Sequence, residues 1–270
     1  ATTPDFPEYP PLDGDATSDV LVIGGGMTGL QTAYLLKLAG LSVILVERRR
    51  LARGVSGHTT AKITALHGLA YHHLTQTFSR QAAEAYAAAN TAALDDIVGI
   101  VRRETIDCGL ERDAACTYAT TDDERRQVER EVRAAQDAGL AAEFRDGLPL
   151  PYETLGGAWL DGQACFHPVR YLKALAELVH GGGCRVHEMT TALELDEDAA
   201  RVKTDRGVIQ AQYVVVATHA PVFDHGPLSM RLMARRSYVV AAPLPGPLSG
   251  MYISASADHH SARTQEIDGQ

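Results

Sequence analysis

The segment from Val20 to Glu47 constrains this chain more than any other part of it. Val20-Leu21-Val22-Ile23 is a short apolar run, Gly24-Gly25-Gly26 follows, Met27 to Leu38 has helical apolar spacing, and Gly40 precedes a second run, Val43-Ile44-Leu45-Val46. Short apolar runs without polar alternation are strands buried on both faces, so the chain opens as strand, helix, strand. Such strands belong to a parallel sheet covered by helices, and the fold class is α/β.

Gly24-Gly25-Gly26-Met27-Thr28-Gly29 fits G-x-G-x-x-G, a weak pattern alone. Here it follows a strand, opens a helix and is answered about twenty residues later by Glu47 at the end of the next strand, the full context of a dinucleotide site. Gly24 makes the tight turn, Gly26 lets the backbone approach a pyrophosphate, and Gly29 lets helix and sheet close up. The helix N-terminus supplies amide donors and partial positive charge. Glu47 is placed to accept hydrogen bonds from the adenosine ribose. A carboxylate there repels a 2′-phosphate and argues against NADP, although Arg48 and Arg49 beside it keep that alternative open. The competing structural reading is a glycine turn that binds nothing.

The chain of 270 residues carries a formal charge of -9, which excludes a general nucleic-acid surface, since phosphate binding relies on clustered Lys and Arg. The uncharged stretch Val20 to Leu36 is broken by glycines, Thr28, Gln31 and Thr32, so no membrane span is expected there. Residues 1–17 are acidic and proline-rich where a secretory signal would be basic and then apolar; they read as an extended arm. Cys108, Cys116, Cys165 and Cys184 show neither C-x-x-C spacing nor paired His, which favours reduced thiols and a cytoplasmic location over zinc or disulfides.

Further along, Leu74 to Glu104 reads as one long amphipathic helix with Phe78, Ala82, Ala85, Ala89, Ala92 and Val101 on its apolar face. Cys116 to Thr120 reads as a strand. Thr121-Asp122-Asp123-Glu124 is a capping box opening a helix with Val128, Val132 and Ala135 inward. Leu148 to Gly157, rich in Pro and Gly, reads as a domain crossing. A helix over Tyr171 to Val179 ends at Gly181-Gly182-Gly183. Short strands follow at Arg185 to Glu188, Ala192 to Leu195, Ala200 to Thr204, Val208 to Ala211 and Tyr213 to Ala217, with a hairpin turn at Asp205-Arg206-Gly207.

The string from Val20 to Gly68 resembles the FAD-binding region of the D-amino acid oxidase superfamily, the group with glycine oxidase and sarcosine oxidase. It is most similar to bacterial members fused to a Rieske domain. Phe166-His167-Pro168 with Tyr171-Leu172, and Tyr213 to Thr218 followed by His219 where the family has Gly, extend the resemblance from Phe6 to Ala255. It implies a Rossmann-like FAD-binding domain of glutathione-reductase type with a second, mixed α+β substrate domain, incomplete at the C-terminus. The implied boundaries are 18–105 and 156–222 for the FAD-binding domain, and 106–155 and 223–270 for a partial substrate or cap domain. Carried over position by position, Gly24, Gly26, Met27, Thr28, Gly29, Glu47, Arg48, Arg53, Gly54, Ser56, Thr59, Thr60 and Ala61 contact FAD, with Ala192 and Ala217 on the adenosine side.

Lys62 falls where sarcosine oxidases carry an Arg beside the flavin ring; as a catalytic residue it would stabilise negative charge or order a water, and otherwise it is a surface lysine. His58 reads as part of the wrap. The pairs His72-His73 and His259-His260 point apart and make poor metal sites. Arg235, Arg236 and Tyr238 lie on a segment that in relatives enters the substrate sheet, where an Arg could receive a carboxylate or be structural.

The resemblance implies oxidation of an amine or amino acid by FAD. Family members continue past the point matching Gln270, so the expectation includes a truncated product, a split gene or a non-catalytic FAD-fold subunit, and a second chain or self-association completing the fold. An NAD-dependent dehydrogenase shares the glycine pattern but leaves the Ser56 to Lys62 wrap unexplained.

Overall fold

The computed structural model describes residues 7–223, 228–233, 236–244, 246 and 248–264. In chain order the elements are β1 (Ala16–Ile23), α1 (Met27–Leu38), β2 (Val43–Val46), a 3-10 turn (Val55–His58), β3 (Lys62–Ile63), α2 (Ala70–Thr77), α3 (Arg80–Arg103), β4 (Glu111–Tyr118), α4 (Asp122–Asp137), β5 (Glu143–Arg145), β6 (Gly157–Cys165), α5 (Pro168–Val179), β7 (Arg185–His187), β8 (Ala192–Asp196), β9 (Arg201–Thr204), β10 (Val208–Val216), α6 (Leu228–Arg231), β11 (Met251–Ser254) and β12 (Ser261–Ala262). They fall into two compact units, one of Thr2–Thr59 with Pro168–Val240 and one of Thr60–His167 with Ala241–Gln270. Among the described residues no helix is long and apolar enough to cross a membrane.

The first unit is built on a sheet of order β7-β2-β1-β10-β9-β8. β7, β2, β1 and β10 run parallel, β9 returns antiparallel to β10, and β8 is antiparallel to β9. Alternation along β1 and β2 sends Leu21, Ile23, Ile44 and Val46 to one face, where they pack with Leu12, Val202, Ile209 and Ala211. Val20, Val22, Val43 and Leu45 are equally buried, and α1 packs against β1, β2 and α5. Each such side chain contributes roughly 1.5–3 kcal/mol by leaving water, so the glycine loop hangs from the end of a firmly packed central strand. α1 and α5 are further joined by Tyr171 Oη, which donates to Gln31 Oε1 at 2.7 Å. Lys37 Nζ closes the C-terminal end of α5, donating to the carbonyls of Leu178, Val179 and Gly181 at 2.7, 3.0 and 2.9 Å.

The second unit carries the sheet β12-β11-β4-β6-β3, with β5 also paired to β6. The Thr121 capping box forms as the sequence dictates: Thr121 accepts from the Glu124 amide while Glu124 accepts from the Thr121 amide. Val128, Val132 and Ala135 face inward. Glu131, fully buried on α4, takes the N–H groups of Tyr71 and His72 at 2.8 Å each, so one helix supplies the N-terminal cap of another, α2.

Three expectations differ from what the chain does. The long helix is two helices, because Ser79 takes an extended backbone and accepts the Ala82 amide as the cap of α3. Its buried stripe is Ala83, Ala87, Leu94, Val98 and Val101, whereas Phe78, Ala85, Ala89 and Ala92 are exposed; a run of alanines offers too little contrast to fix the face. The strands expected at Val208 to Ala211 and Tyr213 to Ala217 are one, β10, held in register against β1 from Ala16 opposite Ile209 to Ile23 opposite Val216. Finally, the compact units divide at 59/60 and 167/168 and not at 105/106 and 155/156. Residues 60–105 group with the second unit because β3 pairs with β6 and α2 and α3 pack on α4. Leu148 to Gly157 lies inside that unit, leading from β5 to β6, and is no crossing.

Candidate functional site

The glycine loop lies at the C-terminal end of β1, between β2 and β10. Gly24 N–H donates to Val46 O at 2.8 Å and Ala217 N–H to Ile23 O at 2.9 Å, so three strands fix where the loop begins. Gly24 has φ +116, which L side chains rarely adopt, and a Cβ there would lie 2.6 Å from Ala217 O. At Gly29 a Cβ would lie 1.8 Å from Gly24 O, so the first turn of α1 rests on the loop itself. Gly26 is the cap residue of α1 and offers no side chain to close the helix end; the first turn carries no acidic residue. One first-turn amide, Met27 N–H, donates to Ser56 Oγ at 3.0 Å, and a Cβ on Gly26 would approach that same oxygen to 3.2 Å.

Glu47 stands just beyond β2. Its Oε2 accepts Gly25 N–H at 2.8 Å and its Oε1 accepts Arg49 N–H at 2.9 Å, so the carboxylate is held against the loop by two amides. Thr28, Arg48, Arg53 and Gly54 are exposed around this end of the sheet, and Met27, Ser56 and Ala217 are half-buried. His58 Nδ1 lies 3.0 Å from Gly54 O, a bond internal to the turn. Ala192 opens β8 opposite Thr204.

A dinucleotide diphosphate fits this cradle. The cap residue of α1 brings no side chain of its own, the first turn carries no acidic residue, the positions where a Cβ would crowd the loop are glycines, and an oriented carboxylate stands beside it for a sugar hydroxyl.

Sequence reasoning missed what holds the segment after Glu47. Glu188, 1 % exposed, accepts Leu51 N–H at 2.7 Å on Oε1. Its Oε2 takes Arg50 Nη1 at 2.7 Å and Tyr9 N–H at 3.3 Å. The expected arm is therefore docked: Tyr9 and Leu12 are buried, Leu12 N–H donates to Thr190 Oγ1 at 3.0 Å, and His187 Nδ1 lies 3.1 Å from Pro10 O. A lone acid after a parallel strand, at the same end of the sheet as Glu47, was the available signal.

Thr60, Ala61 and Lys62 belong to the other unit. Ala61 takes φ 49, and Lys62 begins β3. Lys62 Nζ donates to Tyr252 O at 2.7 Å and to Ser261 Oγ. Burial, and then the nearby Arg263 guanidinium, lower its pKa to about 8 in spite of the carbonyl it donates to. Lys62 is thus no ordinary surface lysine. Arg236 and Tyr238 are exposed, and Arg235 lies outside the described residues. All four cysteines are buried and none is in a disulfide.

Comparison with known proteins agrees with this geometry. The family model described as "DAO: FAD dependent oxidoreductase" matches residues 19–267. The chain is 34% identical over 273 residues to a Bacillus subtilis (strain 168) protein named as a Rieske 2Fe-2S iron-sulfur protein, covering 100% of this chain and 54% of the relative. It is 25% identical over 226 residues to gamma-glutamylputrescine oxidoreductase of Escherichia coli K12, covering 81% and 53%. The chain spans about half the length of these curated relatives. Among solved structures, glycine oxidase from Geobacillus kaustophilus matches with a TM-score of 0.62 at 19% identity, over 88% of this chain and 66% of that one. L-proline dehydrogenase from P. horikoshii matches at 0.69 and 16%, over 94% and 68%. The shared property at such identities is the fold, α/β with a Rossmann-like FAD domain.

Proposed function

Because this chain belongs to the FAD-dependent oxidoreductase family, we propose that its glycine loop binds FAD and that the protein oxidises a small amine or amino acid. The observation that carries the reading is the glycine-lined N-terminus of α1, whose cap residue Gly26 offers no side chain, with the Glu47 carboxylate fixed beside it. Bound FAD would supply the acceptor for the two electrons leaving the carbon next to the substrate nitrogen.

Everything else is binding and orientation by the chain. Gly24, Gly26 and Gly29 keep the loop thin, Ser56 Oγ holds the Met27 amide, and the amide of Thr28 with the α1 dipole would face the diphosphate. Glu47 takes the adenosine ribose hydroxyls, and Arg48 stands exposed next to it. Ala192 meets the adenine by its backbone, and Ala217 lines the adenosine side. Arg53, Gly54, Ser56, Thr59, Thr60 and Ala61 continue the wrap toward the flavin. Lys62 holds an ammonium whose proton is poised near neutrality at Nζ, suited to favouring negative charge on the ring or ordering a water there.

The test is anaerobic mixing of the FAD-loaded protein with a panel of secondary amines, glycine and other amino acids. Bleaching of the yellow flavin absorbance by at least one of them is expected. A yellow protein that no member of the panel bleaches contradicts the activity, and a protein that takes up no flavin contradicts the site. The variant Lys62→Met is expected to slow flavin reduction or reoxidation without releasing FAD; unchanged rates in both half-reactions remove its role.

A further inference from the structure

Residues 47 to 52 carry the Glu47 carboxylate and form one wall of the glycine loop, yet they are not in regular secondary structure. Their path is fixed from outside. Glu47 N–H donates to His187 O at 2.8 Å, Thr190 N–H to Glu47 O at 3.0 Å and Met189 N–H to Arg49 O at 3.1 Å. These bonds lash the segment to the chain that leaves β7. At the centre of that lashing is Glu188, its two oxygens shared among Leu51 N–H, Arg50 Nη1 and Tyr9 N–H. On either side, Ala52 and Met189 take left-handed φ values of 55 and 49, conformations that persist only where neighbours impose them. Beyond Leu51 the chain reaches the glycine loop directly: Ala52 N–H donates to Gly25 O at 3.2 Å, and Leu51 Cδ2 lies 2.2 Å from where a Gly25 Cβ would stand.

We propose that Glu188 is a positioning residue for the adenosine half of FAD: by gripping residues 50 and 51 it sets the Glu47 carboxylate and the glycine loop in their binding geometry, and it ties the N-terminal arm to that geometry through Tyr9. This assignment rests on the reading that the glycine loop holds FAD. Glu188 touches no nucleotide. A buried carboxylate that receives three donors has no polar substitute of equal size, because a glutamine keeps one acceptor and turns an NH₂ toward donors. Releasing residues 50 and 51 leaves the strands intact and loosens only the wall that orients Glu47.

The test compares FAD with FMN, which lacks the adenosine. Dissociation constants are measured by flavin fluorescence for the wild-type chain, Glu188→Gln and Lys37→Met, together with melting temperatures without flavin. Lys37→Met serves as the control because it removes the cap of α5 at the far end of the same unit. Glu188→Gln is expected to weaken FAD at least tenfold and FMN less than twofold, so that the preference for FAD collapses, whereas Lys37→Met lowers the melting temperature and leaves both constants within twofold. If Glu188→Gln does not fold, Arg50→Met, which removes one donor from a side chain 40 % exposed, is expected to give the same ordering with a smaller loss. A Glu188→Gln protein that retains the FAD preference, or that loses FAD and FMN in equal proportion, overturns the assignment alone. A wild-type chain that binds no FAD overturns the underlying reading as well.

Discussion

Replacing Gly29 by alanine tests the closeness of helix and loop on which the site depends. In an unobstructed helix the change is favourable by up to about 1 kcal/mol, since alanine has the better helix propensity. At Gly29 the new Cβ would stand 1.8 Å from Gly24 O, and ordinary contact begins near 3.4 Å, so α1 and the loop must part by about 1.6 Å. The obstacle is backbone at the end of a buried strand, not the tip of a flexible side chain. Overpacking of this kind costs about 1–3 kcal/mol; less a propensity gain of about 1 kcal/mol the net loss is up to about 2 kcal/mol, and at roughly 2–4 °C per kcal/mol for a chain of this size the melting temperature falls by up to about 8 °C. Gly99, in α3, is the internal control: no atom lies within 4 Å of its Cβ position, and Gly99→Ala is expected to raise stability by about 0.5–1 kcal/mol. The assay is thermal unfolding of both variants beside the wild type, with FAD binding measured on each. Stabilisation of similar size in the two variants, with unchanged FAD affinity for Gly29→Ala, would refute the close-approach argument.

Thr121→Ala removes the hydroxyl half of the capping box and is expected to destabilise the α4 unit by about 1 kcal/mol, read as a lower urea midpoint; Thr121→Ser should restore most of it. Lys62 gives a pH signature. Its folded pKa of about 8 lies below the ordinary lysine value of 10.5, so between those values the unfolded chain binds more protons and stability rises with pH. The difference in stability between wild type and Lys62→Met should therefore move in favour of the wild type as pH increases from about 8 to 10.5; a difference that is flat over that window contradicts the depressed pKa.

What the sequence discloses is local. α1 and β2 are legible to the residue because glycine punctuates both ends of the helix and Val43 to Val46 is an uninterrupted apolar run, whereas only the apolar half of β1, from Val20, is legible and its polar start at Ala16 to Asp19 is not. The cap at Thr121 and the turn at Asp205-Arg206-Gly207, which joins the antiparallel β9 and β10, are legible for the same reason: backbone chemistry is written in adjacent residues. What stays hidden depends on partners far along the chain. β6 is read past because Gly156 and Gly157 resemble a linker, yet a Cβ at Gly157 would strike Cys116 Sγ at 2.7 Å, so these glycines mark close packing within a sheet. The boundary between Thr59 and Thr60 has no proline or glycine to announce it. Ser79 ends one helix and starts another inside an alanine-rich run whose periodicity continues across the break. Glu188 belongs to no motif, and its three donors lie 137 to 179 residues away in the chain.

The claim on which the rest depends is that the amino end of α1 receives a nucleotide diphosphate. Hydrogen–deuterium exchange of the chain with and without saturating FAD addresses it at the amides concerned. Slowed exchange at Gly25 to Gly29, together with residues 47 to 56, is the expected outcome. FAD bound with protection elsewhere and none at Gly25 to Gly29 would contradict it.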